Sequence, residues 1–183
     1  MKNLFVVISV LALFVSCKKS DVKVDISYTS SLTSTFTMPK LTDQEKSVPD
    51  SLVSFTTPSM TNTVLDELKN HSIDLDHLKS ISIQGIQLAI QSPSTQNFSF
   101  LKTIKVYLGA TGVGETLIGS KDNINTISPA PATLDLSVAN ADVTAYLKSA
   151  TYYLKVETTL VKTYTQDIDV LSTIQYKVVA SPL

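Results

Sequence analysis

The stretch "SISIQGIQLAIQ", residues 80–91, alternates apolar and polar residues and changes phase once, at its glycine. Ile81 and Ile83 fall on one face of an extended chain, and the apolar residues resume at Ile86, one residue out of step. Strict alternation predicts a β-strand with one buried face. A β-bulge at Gly85 would return Ile86 and the apolar residues after it to the face of Ile81 and Ile83.

The same alternation recurs on both sides of this stretch and predicts an all-β chain. We expect a first strand over residues 21–28 and a second around Leu32, Phe36 and Met38. Further strands are predicted at 51–57, 103–109, 116–118, 133–138, 151–161 and 166–179. Because only a few polar residues link the last two strands, we expect them to form an antiparallel hairpin.

Two short segments have helical patterns instead. "TVLDELKN", residues 63–70, places its apolar residues on one stripe and can be capped by Thr63. "NADVTAYLKSA", residues 140–150, can be capped by Asn140 or Asp142, with Val143 and Leu147 facing inward.

Eight or nine strands and two short helices without a βαβ rhythm predict an antiparallel β-sandwich, either immunoglobulin-like or jelly-roll-like. A closed β-barrel is the alternative. We expect one domain over residues 21–183. Its predicted core contains Val24, Ile26, Ile83, Leu88, Ile104, Val106, Leu136, Leu154, Val156, Ile168, Val170, Ile174 and Tyr176.

Composition excludes several classes of function. The net charge is −1, no basic tract is present, and arginine is absent, so we expect no nucleic-acid partner. The glycines of "GATGVGE", residues 109–115, lie between two predicted strands and not ahead of a helix. They predict a hairpin turn and no nucleotide, and we expect no other cofactor.

The first residues have the layout of a secretory signal. A lysine precedes a predominantly apolar run from Leu4 to Val15, and the small residue Ser16 follows that run. The run is too short for a membrane-spanning helix, which needs about 20 residues. We therefore expect residues 1–16 to be a signal peptide.

Cys17, the only cysteine, follows this segment directly. The stretch Phe14-Val15-Ser16-Cys17 resembles the lipobox of bacterial lipoproteins of Gram-negative, Bacteroidota-like envelopes. That family usually has Leu in place of Phe14 and Ala or Ser in place of Val15. The resemblance implies that Cys17 carries the acyl chains (palmitate among them) and becomes the N-terminus, with residues 17–20 as a short tether. The alternative is an ordinary signal peptide with an incidental cysteine.

The resemblance also implies a location. No Asp follows Cys17 to signal retention in the inner membrane, so we expect a lipid anchor in the outer membrane. The sequence Lys18-Lys19-Ser20-Asp21 is a poor match to the acidic cluster of surface-exposed relatives. An orientation that faces the periplasm is therefore favoured over one on the cell surface. We expect the protein to contact the membrane only through its lipid.

Candidate chemistry is sparse. The segment "HSIDLDH", residues 71–77, contains weak candidates for metal ligands: His71, Asp74, Asp76 and His77. Their spacing matches no standard pattern of metal ligands. The tyrosines that could bind a protein or glycan partner cluster late in the chain: Tyr152, Tyr153 and Tyr164. The stretch Asp50-Ser51-Leu52 resembles a short O-glycosylation motif, with Ser51 as the acceptor.

These observations favour a non-enzymatic binding or envelope-assembly module over an enzyme. No catalytic residue can be named, because the chain has no nucleophile elbow and no zinc-protease helix. The alternative is a carboxylate-dependent hydrolase acting on envelope polysaccharide or peptide, since Asp and Glu residues are scattered along the strands.

Overall fold

The computed structural model describes residues 25–41 and 50–181. Cys17, the predicted signal peptide and tether, and Val24 of the predicted core lie outside the described residues. Two short α-helices accompany the strands, α1 (Val64–Asn70) and α2 (Thr144–Leu147). The nine strands are β1 (Ile26–Met38), β2 (Leu52–Thr56), β3 (Met60–Thr61), β4 (Leu78–Ser92), β5 (Leu101–Ala110), β6 (Gly114–Lys121), β7 (Thr133–Val138), β8 (Thr151–Leu160) and β9 (Ile168–Ala180).

The strands form an antiparallel β-sandwich. One sheet has the order β1-β9-β4-β7 and the other the order β2-β8-β5-β6, with β3 added to β8. Among the described strands, the two sheets join where β6 meets β7, through the pairs Gly119–Val138 and Ser120–Ser137. Apart from β2 with β3 and β5 with β6, each strand lies in the other sheet from the strand before it, as is typical of a jelly roll. The path of paired strands ends at β1 and β2, so the described strands do not close into the alternative barrel.

The inner faces of the two sheets form the core, as the alternation predicts. Eleven of the predicted core residues are buried: Ile83, Leu88, Ile104, Val106, Leu136, Leu154, Val156, Ile168, Val170, Ile174 and Tyr176. Ile26 is the exception, with 45 % of its surface exposed. It is the first residue of β1, and β1 is the outermost strand of its sheet.

The predicted bulge is confirmed. The pairing of β4 with β9 shifts register between Ile83 and Gly85. As a result, Ile81 and Ile83 before the bulge and Ile86 and Leu88 after it are all buried. The alternation of β4 changes phase, and one extra residue in this strand returns the later apolar side chains to the face of the earlier ones.

Two predictions about strand connection are wrong. Residues 29–38 do not form a separate strand, because β1 runs without a break from Ile26 to Met38 against β9. The last two strands are not a hairpin: β8 pairs with β2 and β5, whereas β9 pairs with β1 and β4. The link after Leu160 therefore crosses from one sheet to the other, which local alternation alone cannot reveal.

The helices begin at caps that only partly match the prediction. Thr63 makes no side-chain capping bond. Instead, the Oδ1 atom of Asn62 accepts a hydrogen bond from the Val64 N–H at 3.0 Å. At α2, Asp142 accepts from the Thr144 N–H, as predicted for one of the two candidate caps. Neither helix in the described ranges is long and apolar enough to cross a membrane.

Candidate functional site

The predicted metal ligands are not brought together. His71 stacks on Tyr28, with ring centroids 4.1 Å apart, and His77 is held by its backbone, whose carbonyl accepts from the Ser181 N–H at 2.8 Å. Asp74 and Asp76 are exposed in turns. Within residues 25–41 and 50–181, no three His, Cys, Asp or Glu side chains are grouped so that they could hold a metal ion.

Glu67 and Tyr28 belong to a partly buried polar cluster next to His71. The hydroxyl of Tyr176 donates a hydrogen bond to Glu67. Burial, and then donation to Glu67, raises the pKa of Tyr176. Burial also raises the pKa of Tyr28, with a smaller contribution from the Glu67 carboxylate. This cluster connects α1 to the inner face of β1 and β9. His71 packs on it through Tyr28, which is a structural role and not that of a metal ligand.

The predicted partner-binding tyrosines separate into two groups. Tyr152 is 2 % exposed and Tyr164 is 5 % exposed, so these two are core residues, which corrects their assignment to a binding surface. Tyr164 packs on Phe100 with ring centroids 5.0 Å apart. Tyr153, next to Tyr152 on β8, points the other way because successive strand residues face opposite sides. Its ring lies on the outer face of the sheet and is half-buried.

Ser51 directly precedes β2 and is half-buried. Its carbonyl accepts a hydrogen bond from the Leu160 N–H at 3.1 Å. The flanking Leu52 is 69 % exposed, and Asp50 pairs with Lys102 at 3.0 Å. The three residues of the O-glycosylation motif therefore begin an edge strand with their side chains near solvent, and glycosylation of Ser51 stays a prediction.

The most elaborate surface is the outer face of the sheet β2-β8-β5-β6, around Tyr153. Strand register places Tyr153 opposite Gly109 and Lys155 opposite Tyr107. Glu115 on β6 also lies opposite Gly109. We call this surface the tyrosine face and define it by these residues and their neighbour on β8: Tyr107, Gly109, Glu115, Tyr153, Lys155 and Glu157.

Tyr153 lies across the backbone of Gly109. A Cβ atom on Gly109 would stand 2.3 Å from two carbons of the Tyr153 ring and 2.7 Å from its hydroxyl oxygen. The ring carbons are nearer than the hydroxyl at the ring's edge, so this position lies over the face of the ring. One face of Tyr153 therefore covers the sheet at Gly109, and the opposite face points outward.

A network of charges lies on the same face of the sheet. The Nζ atom of Lys155 lies 3.1 Å from Glu115 and 3.3 Å from Glu157. The hydroxyl of Tyr107 donates to Glu157 at 3.1 Å, and Lys155 lies 5.5 Å from the centre of the Tyr107 ring. These contacts order one lysine, two carboxylates and a phenol within three adjacent strands.

The contacts also shift two pKa values. The hydrogen bonds to Glu115 and then Glu157 raise the pKa of Lys155, which therefore stays charged. Burial raises the pKa of Tyr107, and donation to Glu157 raises it further. The tyrosine face thus presents a flat aromatic surface beside two hydrogen-bond acceptors, a charged donor and a neutral phenol.

Sequence reasoning identified Tyr153 but not Tyr107, Glu115, Lys155 or Glu157. Alternation places each of these four side chains on the outer face of its own strand. Their proximity follows from the register of β5 with β6 and β8, because β5 and β8 lie about 50 residues apart along the chain. No short motif records that register.

No family model and no curated protein matches this chain. Among solved structures, a chain of Desmodium yellow mottle tymovirus is 9 % identical and has a TM-score of 0.31, with 86 % of this chain and 90 % of that chain covered. A decameric BFDV capsid protein is 10 % identical and has a TM-score of 0.33, with 84 % of this chain and 98 % of that chain covered. The strand order, and not these similarities, defines the fold given above.

Proposed function

We propose that this chain is a non-enzymatic glycan-binding module, held in a bacterial envelope by a lipid on Cys17 and binding through the tyrosine face. The observation that carries the proposal is the Tyr153 ring stacked on Gly109. Glycine leaves room for the ring to lie flat, and the sheet then fixes that orientation in the free protein. A binding surface ordered in advance loses less entropy when the ligand arrives.

The chemistry around the ring suits a sugar. A sugar ring presents C–H groups that pack against an aromatic face, while its hydroxyls need both donors and acceptors. Glu115 and Glu157 accept hydrogen bonds, and Lys155 donates them. Hydrogen bonds that involve an ionised group are the stronger ones, so these three residues suit the ordering of hydroxyls around the stacked ring.

The same network favours binding over the alternative of carboxylate-dependent hydrolysis. Two catalytic carboxyl groups of a glycosidase must flank the scissile bond, with one of them able to give up a proton. Here a single ammonium lies 3.1 Å from Glu115 and 3.3 Å from Glu157, in the space between the two carboxylates. That arrangement is typical of an ion-pair network, in which one lysine already engages both carboxylates.

Binding of the full chain in detergent to immobilised envelope polysaccharides and a neutral and acidic glycan panel tests the proposal. Tyr153→Ala should weaken binding about tenfold or more, equal to at least about 1.4 kcal/mol. The matched control is Tyr146→Ala, which removes a half-buried tyrosine of α2 that is not part of the tyrosine face. Equal losses in both variants, or glycan binding that neither variant changes, would reject the tyrosine face as the site.

The hydrolase alternative is measured in the same samples. Mass spectrometry of the glycans after long incubation should find them intact. Shortened products that disappear in Glu115→Gln or Glu157→Gln would replace the binding proposal with the enzymatic one.

A further inference from the structure

The outer face of the other sheet, β1-β9-β4-β7, carries a cleft of about 290 Å³ beside the bulge at Gly85. We call it the bulge cleft. It lies on the opposite side of the sandwich from the tyrosine face. Its apolar lining comes from Val138, which is 36 % exposed, and from the backbone beside Ile86 and Leu136, whose side chains are buried in the core. Its polar wall is formed by Gln84, Gln87, Asp135, Thr173 and Gln175.

The cleft exists because β7 leaves this sheet. It pairs with β4 only as far as the pair Ile86–Leu136, and its last residues then pair with β6. The next link on that side of β4 is the isolated bridge Ser82–Asp142. Between these two contacts the sheet is open, and the bulge at Gly85 falls in this opening.

One side-chain hydrogen bond and the strand register position the polar wall. The Nε2 atom of Gln87 donates to the Oδ1 atom of Asp135 at 2.9 Å across β4 and β7. The side chain of Gln175 lies over Gly85, where a Cβ atom would stand 3.1 Å from its Oε1 atom. Thr173 completes the row as the partner of Gln87 on β9. The wall therefore offers carboxamides, a hydroxyl and one carboxylate.

We propose that the bulge cleft binds one neutral sugar residue, as a second glycan site separate from the tyrosine face. Carboxamides both donate and accept hydrogen bonds, and a carboxylate accepts from hydroxyls, so together they match the adjacent hydroxyls of a sugar ring. The exposed apolar side chain of Val138 offers the surface on which the C–H groups of such a ring would pack.

Size and charge narrow the class of ligand. A volume of about 290 Å³ lies at the lower end of the range for ligand pockets, which suits a single ring and not a long chain. Among the described residues that line the cleft, Asp135 alone is charged, and its negative charge disfavours acidic sugars. A neutral sugar residue at a chain end or a branch point fits both the size and the charge of the cleft.

The inference rests on the proposed function for the class of partner, but not on the tyrosine face itself. Sites on opposite faces of one sandwich cannot both engage a short oligosaccharide. They can bridge two chains, or two distant points of one chain, and such bivalent contact raises the overall avidity above either single affinity.

Nuclear magnetic resonance of the full-length Tyr153→Ala protein in detergent tests the cleft without a working tyrosine face. The probes are the methyl glycosides of glucose, galactose, mannose and N-acetylglucosamine, with glucuronate and lysine methyl ester as charged comparisons. The side-chain amide signals of Gln87 and Gln175 report directly on the wall. Gln175→Met assigns one of these signals and replaces the carboxamide by an apolar side chain of similar length.

Gly85→Val blocks the cleft, and Ser31→Val is its matched control. Ser31 and Gly85 flank Gln175 on the two neighbouring strands, but only Gly85 lines the cleft. We expect a neutral glycoside to shift the glutamine amide signals, Gly85→Val and Gln175→Met to weaken this binding about tenfold, and Ser31→Val to change it less than about twofold.

Each other result overturns the proposal. If no neutral glycoside shifts these signals while the native protein still binds glycans, the cleft is not a site and the tyrosine face stands alone. Preferential binding of lysine methyl ester would instead identify a site for cations. Glycoside shifts that persist unchanged in both Gly85→Val and Gln175→Met would place the binding elsewhere on the protein.

Discussion

The ring of Tyr153 occupies the space that a side chain at Gly109 would need, with two ring carbons 2.3 Å from the position of the missing Cβ. Gly109 is buried beneath the ring. Glycine is therefore required here for the close approach of an aromatic side chain on the neighbouring strand, as in the aromatic covering of strand glycines.

Gly109→Ala should consequently destabilise the protein by about 1–3 kcal/mol, since the added methyl group forces the ring off the sheet. Urea unfolding followed by circular dichroism measures this change. It should also weaken glycan binding, because the ring loses its fixed orientation.

The double-mutant cycle with Tyr153→Ala provides the control. Without the ring, Gly109→Ala should be neutral or stabilise by about 0.4–1 kcal/mol, since alanine reduces the freedom of the unfolded chain. The two substitutions are thus expected to be strongly non-additive. Additive effects would mean that the ring does not depend on Gly109.

Asn62 connects the two helices, and its removal should be costly. Its Nδ2 atom donates to the carbonyls of Leu147 at 2.7 Å and Ser149 at 2.8 Å, while its Oδ1 atom caps α1. The residue is only 3 % exposed. Asn62→Ala should lower the free energy of unfolding by about 2–3 kcal/mol, because buried polar groups lose their partners.

The exposed Asn140 gives a matched comparison in urea unfolding. Asn140→Ala should change the free energy of unfolding by less than about 0.5 kcal/mol. A similar small loss in Asn62→Ala would show that water replaces the missing hydrogen bonds.

Much of the fold could be predicted from the sequence, because alternation fixes which side of a strand faces the core. Alternation predicts which residues of β4, β5, β7, β8 and β9 are buried, and it predicts the bulge at Gly85. Alternation does not specify the neighbour of a strand. The expected hairpin of β8 with β9 failed because a short link can cross between sheets as readily as it can turn within one.

The same limit explains what could be predicted of the site. The outward direction of Tyr153 follows from its neighbour Tyr152 in the core. The meeting of Tyr107 with Glu157 depends on the register of β5 and β8. A tyrosine in a polar link can face either solvent or the core, and the contact of Tyr164 with Phe100 makes it a core residue.

Alkaline pH should destabilise the protein through its buried tyrosines. Burial and donation to Glu67 raise the pKa of Tyr176, and burial raises the pKa of Tyr152. Above pH about 10, the unfolded chain loses these protons while the folded protein retains them. Stability is then fully present below pH about 10 and falls above it, by up to about 1.4 kcal/mol per pH unit for each such group.

Tyr176→Phe isolates one of these contributions. At pH 7 it should cost only the lost hydrogen bond to the Glu67 carboxylate, about 1.5–3 kcal/mol. Toward pH about 11 the variant should lose stability less steeply than the native protein, since one group with a raised pKa is gone. Parallel pH profiles in chemical unfolding would contradict the assignment of a raised pKa to Tyr176.

Cys17 lies outside the described residues, so the lipid anchor is tested by its own experiment. If the cysteine is acylated, cells grown with labelled palmitate should label the native protein and not Cys17→Ser, and the variant should remain unprocessed or leave the membrane fraction. Two or more acyl chains hold a protein on a membrane firmly, whereas one is marginal, so this loss should be nearly complete. Ser16→Ala is the matched control, because it keeps a small residue before the cysteine and should preserve both labelling and fractionation. A Cys17→Ser protein that is still cleaved and still sediments with membranes would favour the ordinary signal peptide, and membrane attachment would then have to arise from a binding partner.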